Sequence, residues 1–335
     1  MKKATVFGST LLSLAMAASA QLTGLSALTR IGGDLDLLKL LLSQESPASV
    51  GRMLVYYDYY NRARMVRIGT VSANMVATAG SRMRPPAIGG MVEVRANSLA
   101  ILRTDGQDTQ RAFASARWDL RRLTAWGQEL TLTAFARGDA YHTDESAETP
   151  VPIYRGEDGW HFRGIGALAA DIKWPLIGEA FGGLQRLVPR VQLVLTPPTP
   201  NLDIPNEDAR AVDLEDSNLF ALNRFPGHDR WEDRSRITYG VDWSLDRPNL
   251  SITTTIGQSY RLARKPGIFP DGTGLTDRLS DVVGRTRVRY GRLLDITHRF
   301  RLDKDSLAIR RNEFDAVIGS HRTYAEIGYV KLNRD

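Results

Sequence analysis

Asp213 to Trp243 reads DLEDSNLFALNRFPGHDRWEDRSRITYGVDW, an acidic turn, an aromatic-rich loop and an alternating strand in unbroken succession. From Arg236 to Asp246, Ile237, Tyr239, Val241, Trp243 and Leu245 fall on one side, and Arg236, Thr238, Gly240, Asp242, Ser244 and Asp246 on the other, because successive side chains of a strand point to opposite faces. A two-faced strand of about 10 residues is what a tilted β-strand needs to cross a bilayer.

The pattern recurs outward from this stretch. Leu294, Ile296, His298, Phe300 and Leu302 oppose Asp295, Thr297, Arg299, Arg301 and Asp303. Leu130, Leu132, Ala134 and Ala136 oppose Glu129, Thr131, Thr133 and Arg137, while Leu250, Ile252 and Ile256 oppose Ser251, Thr253 and Thr255. The apolar face would meet lipid and the charged face water. A soluble sandwich also alternates, so the membrane reading leans on strand length, an export signal and aromatic residues near strand ends. Trp118, Tyr141, Trp160, Trp174, Tyr260 and Tyr290 are the expected interfacial girdle. The fold class expected is all-β, an antiparallel transmembrane barrel of about a dozen strands, either closed by itself or a portion of a larger barrel.

The first residues set the compartment. Lys2 and Lys3, the run Val6 to Ala17, and Ala18-Ser19-Ala20 ahead of Gln21 have the form of a cleaved signal peptide over residues 1–20. The apolar run is shorter than the ~20 residues that span a bilayer as a helix. Residues 21–50 form a poorly defined segment whose Leu35, Leu37, Leu38, Leu40, Leu41 and Leu42 look helical or buried, and residues 51–335 are assigned to the barrel, clearest from residue 92. Strand-like runs fall near 53–60, 64–77, 90–97, 109–121, 128–142, 160–173, 188–196, 235–246, 249–261, 284–303, 306–320 and 322–332. Short turns such as Asp246-Arg247-Pro248-Asn249 alternate with long loops at 143–159, 197–234 and 262–283, matching the two ends of such a barrel.

Composition excludes several classes. With no cysteine among 335 residues, neither disulfides nor thiolate chemistry is available. The formal charge is +6, and removing the two lysines of residues 1–20, which carry no acid, leaves +4. Arginines alternate along strands instead of clustering on a helix, and no nucleic-acid-binding signature is present. Five histidines leave room by count for a Ser-His-acid set, but no G-x-S-x-G, H-E-x-x-H, phosphate loop or dinucleotide fingerprint occurs, so neither an enzyme nor a cofactor is expected. In the 197–234 loop, Asp203, Glu207, Asp208, Asp213, Glu215 and Asp216 lack calcium-loop spacing. They are expected to pair with Arg210, Arg224, Arg230 and Arg234 inside a folded-in loop. On phase and charge, Arg287, Arg289, Arg299 and Arg301 are the candidate lumen residues. Asp213, Glu215, Asp216, Asn218 and Arg224 are the candidates for an inward loop.

Beyond periodicity, the wording itself is specific. The Asp213–Trp243 block, ANSLAILRTDGQDTQRAFASARWDL from Ala96, LTLTAFARGDAYHTDE from Leu130, and VRYGRLLDITHRFRLDKDSLAIRRNEFDAVIGSHRTYAEIGYVKLNRD at the C-terminus resemble consecutive pieces of the LptD barrel of alphaproteobacterial LPS-assembly proteins, from about Val92 onward. The resemblance implies an outer-membrane protein that transports lipopolysaccharide to the outer leaflet. It also implies an LptE-type plug lipoprotein, a periplasmic LptA-like bridge and insertion by the barrel-assembly machinery. Lipopolysaccharide sugars would enter the lumen while acyl chains leave through a seam, whose strand here would hold Tyr324, Ile327, Gly328 and Tyr329. The chain departs from the family in lacking a recognisable jelly roll and the first part of the barrel, and in ending on Arg334-Asp335 instead of an aromatic residue.

Overall fold

The computed structural model describes residues 54–57, 73–103, 106–149, 151–210, 212–263, 268–320 and 322–333. The expected signal peptide, the segment 21–50 and most of the runs near 53–60 and 64–77 lie outside the described residues.

Among the described residues there are fourteen strands: β1 (Leu54–Tyr57), β2 (Ala73–Met83), β3 (Met91–Leu102), β4 (Asp108–Leu123), β5 (Glu129–Asp144), β6 (Gly159–Lys173), β7 (Leu176–Ala180), β8 (Gly183–Leu195), β9 (Arg236–Arg247), β10 (Leu250–Arg261), β11 (Val282–Tyr290), β12 (Leu294–Leu302), β13 (Ile309–Gly319) and β14 (Tyr324–Leu332). They join one sheet in the order β1 to β6, then β8 to β14, with β7 paired to β8 alone. The strand pairings are antiparallel, in keeping with the all-β barrel reading. Among the described residues no helix is long and apolar enough to cross a membrane, a test that does not address strands.

Two expectations about strands need correction. The run 284–303 is two strands, because Gly291 turns the chain at φ 55° and Leu293 N donates to Tyr290 O at 3.3 Å. The segment 174–187, taken as connection, holds the β7–β8 hairpin. Its two-residue turn, Phe181-Gly182, has positive φ at both positions, 52° and 71°, the backbone that matches the twist of flanking strands.

The chain divides into two compact units. Unit 1 comprises the described residues up to 119, with 134–166 and 200–208. Its interior holds Leu99, Ile101, Phe113, Tyr141, Ile165 and Ile204. Glu157 N donates to Asp203 O at 3.0 Å and Asn206 N to Tyr154 O at 3.1 Å, so residues 200–208 are tied by backbone to the loop before β6. A Cβ on Gly156 would lie 2.7 Å from Pro205, which explains a glycine at that crossing. Tyr141, expected in the girdle, is fully buried here: it lies on the odd-numbered face of β5 with Thr133, Arg137, Asp139 and Thr143. Trp160, in contrast, is half exposed and stacks on Phe162 with ring centroids 6.1 Å apart.

Unit 2 comprises residues 120–133, 167–199 and 209–335. Its buried apolar cluster is built largely from the long loop before β9: Ala209, Val212, Leu214, Leu219 and Phe225 join Phe269, Leu275 and Val283. Phe225 and Phe269 stack at 4.5 Å, 6° from parallel. The loop therefore folds as a packed body on the sheet, with apolar burial as its main driving force.

Candidate functional site

Register decides which side chains share a face. Arg190 pairs with Gly240, Gly240 with Gly257, Gly257 with Val283, Val283 with Arg301, and Arg301 with Arg311. These six residues form one row across β8 to β13, since directly paired residues point the same way. Two residues along the strands, Asp242, Thr255, Arg285, Arg299 and Glu313 form the next row. The opposite face carries Tyr239, Ile256, Tyr290, Phe314, Ile318, Ile327 and Tyr329, all exposed. His298 lies on that apolar face, 2.8 Å from Asn312 Oδ1 and stacked on Phe314.

In unit 2 the loop lies along the first row. Arg190 covers the Phe220 ring at 3.9 Å. Phe220 and Leu219 then occupy the gap left by two glycines, for a Cβ on Gly240 would be 3.3 Å from Phe220 Cζ and one on Gly257 would be 2.6 Å from Leu219 Cδ2. Beyond Val283, Asp213 places one carboxylate oxygen on Arg301 and the other 3.0 Å from Arg311 Nη1. Arg311 also holds Glu215 at 2.6 Å and Glu313 at 2.8 Å. In the second row Arg285 lies 3.4 Å from Asp216, and Arg299 reaches Glu313 and Asp315 at 3.2 and 2.8 Å. Asn218 closes the acidic turn, donating from Nδ2 to Asp213 O at 2.7 Å and accepting Glu215 N at 3.0 Å.

The loop's own charges are buried and counterbalanced. Arg224 Nε donates to Glu232 at 2.7 Å, and Arg236 lies 3.4 Å from the same carboxylate. Arg236 also donates to Ala221 O and Leu222 O at 2.5 and 3.1 Å. Burial pushes the Glu232 carboxyl up, but Arg224 and Arg236 outweigh it and hold the group below its ordinary value. At Asp216, Asp233 and Asp281 the balance reverses, and burial raises the carboxyl despite nearby arginines. Desolvation opposes the charged form, whereas an adjacent guanidinium favours it.

Unit 1 has a separate charged cluster. Arg103 grips Glu207 through both terminal nitrogens at 2.9 and 2.8 Å, and Thr109 Oγ1 donates to Glu207 at 2.9 Å. Arg111 bonds Asp208 at 2.8 Å and Asn97 at 3.0 Å, and Asn97 donates to Thr78 at 2.8 Å. Deeper still, Asp139 accepts from Arg137 at 2.5 Å and Arg163 at 2.7 Å, while Arg163 also reaches Asn201 at 3.2 Å. The Arg137 guanidinium sits 4.0 Å above the Phe113 ring.

Residues 77–335 match the family LPS transport system D, LptD. The chain belongs to the LptD family. A stretch of 181 residues is 32% identical to the LPS-assembly protein LptD of Pseudomonas putida, covering 51% of this chain and 18% of that protein. The LptD of Nitrosospira multiformis is 32% identical over 196 residues, 48% of this chain and 20% of its own. That of Hahella chejuensis is 34% identical over 98 residues, 29% and 11% respectively. The matches thus span about a fifth or less of the length of these curated relatives. The family match begins at residue 77, ahead of Val92 where the resemblance was legible.

In this LptD-family chain the four arginines singled out by phase do share one face, through the pairs Arg287 with Thr297, Arg289 with Asp295, Arg285 with Arg299 and Arg301 with Arg311. Their surroundings differ. Arg301 is buried under the loop, Arg299 is half-buried among carboxylates, Arg287 pairs with Asp295, and Arg289 is exposed. Asp213, Glu215, Asp216 and Asn218 come together as one turn over Arg301, Arg311 and Arg285, while Arg224 sits apart with Glu232. Beyond the arginines expected for them, Glu207, Asp208, Asp213, Glu215 and Asp216 meet Arg103, just past the end of β3, and the strand-borne Arg111, Arg301, Arg311 and Arg285. On β14, which ends the strand order, Tyr324 and Gly328 share one face and Ile327 and Tyr329 the other. Arg311, Arg163, Asp139 and the Gly240–Gly257 pair were not anticipated. The only available signal was that each sits in the polar phase of an alternating strand.

Proposed function

We propose that this chain forms part of the wall of an outer-membrane LPS translocon, with its polar face turned toward the sugar-phosphate portion of lipopolysaccharide and its apolar face toward lipid. The observation that carries this reading is the LptD-family match over residues 77–335, which coincides with the two-faced antiparallel sheet. Residues 1–20 would direct export and be removed. Lipopolysaccharide is the proposed cargo, delivered by an LptA-like bridge, with an LptE-type lipoprotein as plug and the barrel-assembly machinery as the inserting agent. Arg287, Arg289, Arg299 and Arg301 are the proposed sugar-phosphate contacts, and the β14 residues Tyr324, Ile327, Gly328 and Tyr329 the proposed seam. The reading assigns no catalytic role.

The test is expression with the leader in a Gram-negative host. A heat-modifiable species inserted in the outer membrane and carrying the lipoprotein is the expected result. Insertion without the lipoprotein would favour a small pore, and failure to insert would overturn the membrane reading.

A further inference from the structure

Arg301 and Arg311 stand directly opposite each other on β12 and β13, and Arg285 and Arg299 repeat the juxtaposition two residues along on β11 and β12. Like charges placed opposite in a sheet are destabilising, and replacing such charges by apolar residues is often neutral or favourable for stability. The loop is seated independently by Leu219, Phe225 and their apolar neighbours, and Arg301 also donates to Gly272 O at 2.7 Å and lies 3.4 Å from Asp281. Four guanidiniums on one face require anions, and the loop supplies three of them: Asp213, Glu215 and Asp216.

The manner of supply is informative. Asp213 bridges two guanidiniums with its two oxygens, the arrangement in which arginine pairs receive phosphate. At Arg301 and Arg311 the cations are the sheltered members, with side-chain exposures of 4% and 19% against 32% and 33% for Asp213 and Glu215; at Arg285 the order reverses, 42% against 4% for Asp216, so the releasable anions are Asp213 and Glu215. A recess of about 330 Å³ opens beside both carboxylates, lined also by Asn218 and Arg224. The recess therefore gives solvent a path to the counter-anion on the side of the loop.

We propose that Arg301 and Arg311 are a binding site for a phosphorylated sugar, and that Asp213 occupies this site in place of the phosphate until the loop is displaced. The inference deepens the transport reading and rests on it for the identity of the cargo. Site and counter-anion can be tested without transport.

The experiment uses the full chain folded in detergent, with glucosamine 1-phosphate as probe and glucosamine as control. Binding is followed by calorimetry and loop release by limited proteolysis within residues 212–233. Asp213→Asn with Glu215→Gln should bind the phosphorylated probe about tenfold tighter than the parent chain, the worth of one charge-assisted bond no longer in competition. Glucosamine should bind neither. In the unsubstituted chain the phosphorylated probe should accelerate loop cleavage, a result independent of whether any variant folds. Arg301→Gln with Arg311→Gln, checked for a heat-modifiable folded form, should lose binding. Loop release without gain of binding in the acidic variant, or binding that survives loss of both arginines, would overturn the site. A chain that binds the probe yet never recruits the plug lipoprotein would sink only the cargo assignment.

Discussion

The two halves of the long loop before β9 are held by arginines in two different ways. In unit 1, Arg163 bonds Asn201 of the loop at 3.2 Å and is itself paired to Asp139, both side chains having no exposure; Arg137 is buried with them, so three charges are locked in the interior of that unit. In unit 2, Asp213 and Glu215 meet Arg311 at the edge of solvent. A buried pair broken on one side leaves an uncompensated charge, which is costly, whereas an exposed pair contributes little. The same chemistry thus makes a fixed anchor in one unit and a releasable contact in the other.

The largest way to break this comparison is Asp139→Leu, which strands Arg137 and Arg163. It should cost about 3–5 kcal/mol, seen as a lowered urea midpoint of the detergent-folded chain, and an unchanged midpoint would deny the anchor. Gly257→Val comes next: its Cβ meets Leu219 and the Tyr239 carbonyl at 2.6 and 2.7 Å. Overpacking of about 1–3 kcal/mol should lift the unit 2 loop and raise proteolysis within 212–233, leaving cleavage within 200–208 as it was.

Acidity separates the groups inside unit 2. Asp216, Asp233 and Asp281 have raised carboxyls, so their ionised forms disfavour the fold, and stability rises as pH falls from their raised values toward the ordinary range. Glu232 is lowered, first against burial and then by Arg224 and Arg236. Its contribution is complete above the ordinary glutamate range and is lost as pH falls through its folded value. Loop protection measured against pH should therefore improve on mild acidification and then collapse. Asp216→Asn should flatten the first limb and Glu232→Gln should remove the second. A profile that falls monotonically from neutrality would contradict the assignment of the raised aspartates. Smallest of all, Glu93→Gln on the exposed Arg82–Glu93 pair should change the urea midpoint by less than about 1 kcal/mol.

Much of the fold was legible where alternation was strict. The β9 and β10 pattern placed the faces correctly because a period of two leaves no ambiguity once a strand holds register. The β7–β8 hairpin escaped because LIGEA is short and mostly exposed on both faces, and Phe181-Gly182 does not advertise a turn as Asn-Gly would. The run 284–303 read as one strand because a single glycine marks its reversal. Phase placed Arg287, Arg289, Arg299 and Arg301 on one face, as the register does, but it carried no sign of their partners, since Arg301 meets Asp213 across 88 residues and Arg311 meets it across 98. Such pairings depend on which strands the loop crosses, and local pattern carries no record of that. Tyr141 was misplaced because an aromatic near a strand end fits an interfacial belt, and only the adjoining Arg163 marks it as interior.

The most direct test is site-specific photocrosslinking in cells producing lipopolysaccharide, with the photoreactive residue placed at Arg299 or Arg287 on the polar face and at Ile318 or Tyr329 on the other. Lipopolysaccharide sugar adducts are expected from the polar-face positions and only phospholipid or acyl-chain adducts from the apolar ones. Sugar adducts confined to Ile318 and Tyr329, with none at Arg299 or Arg287, would contradict that orientation.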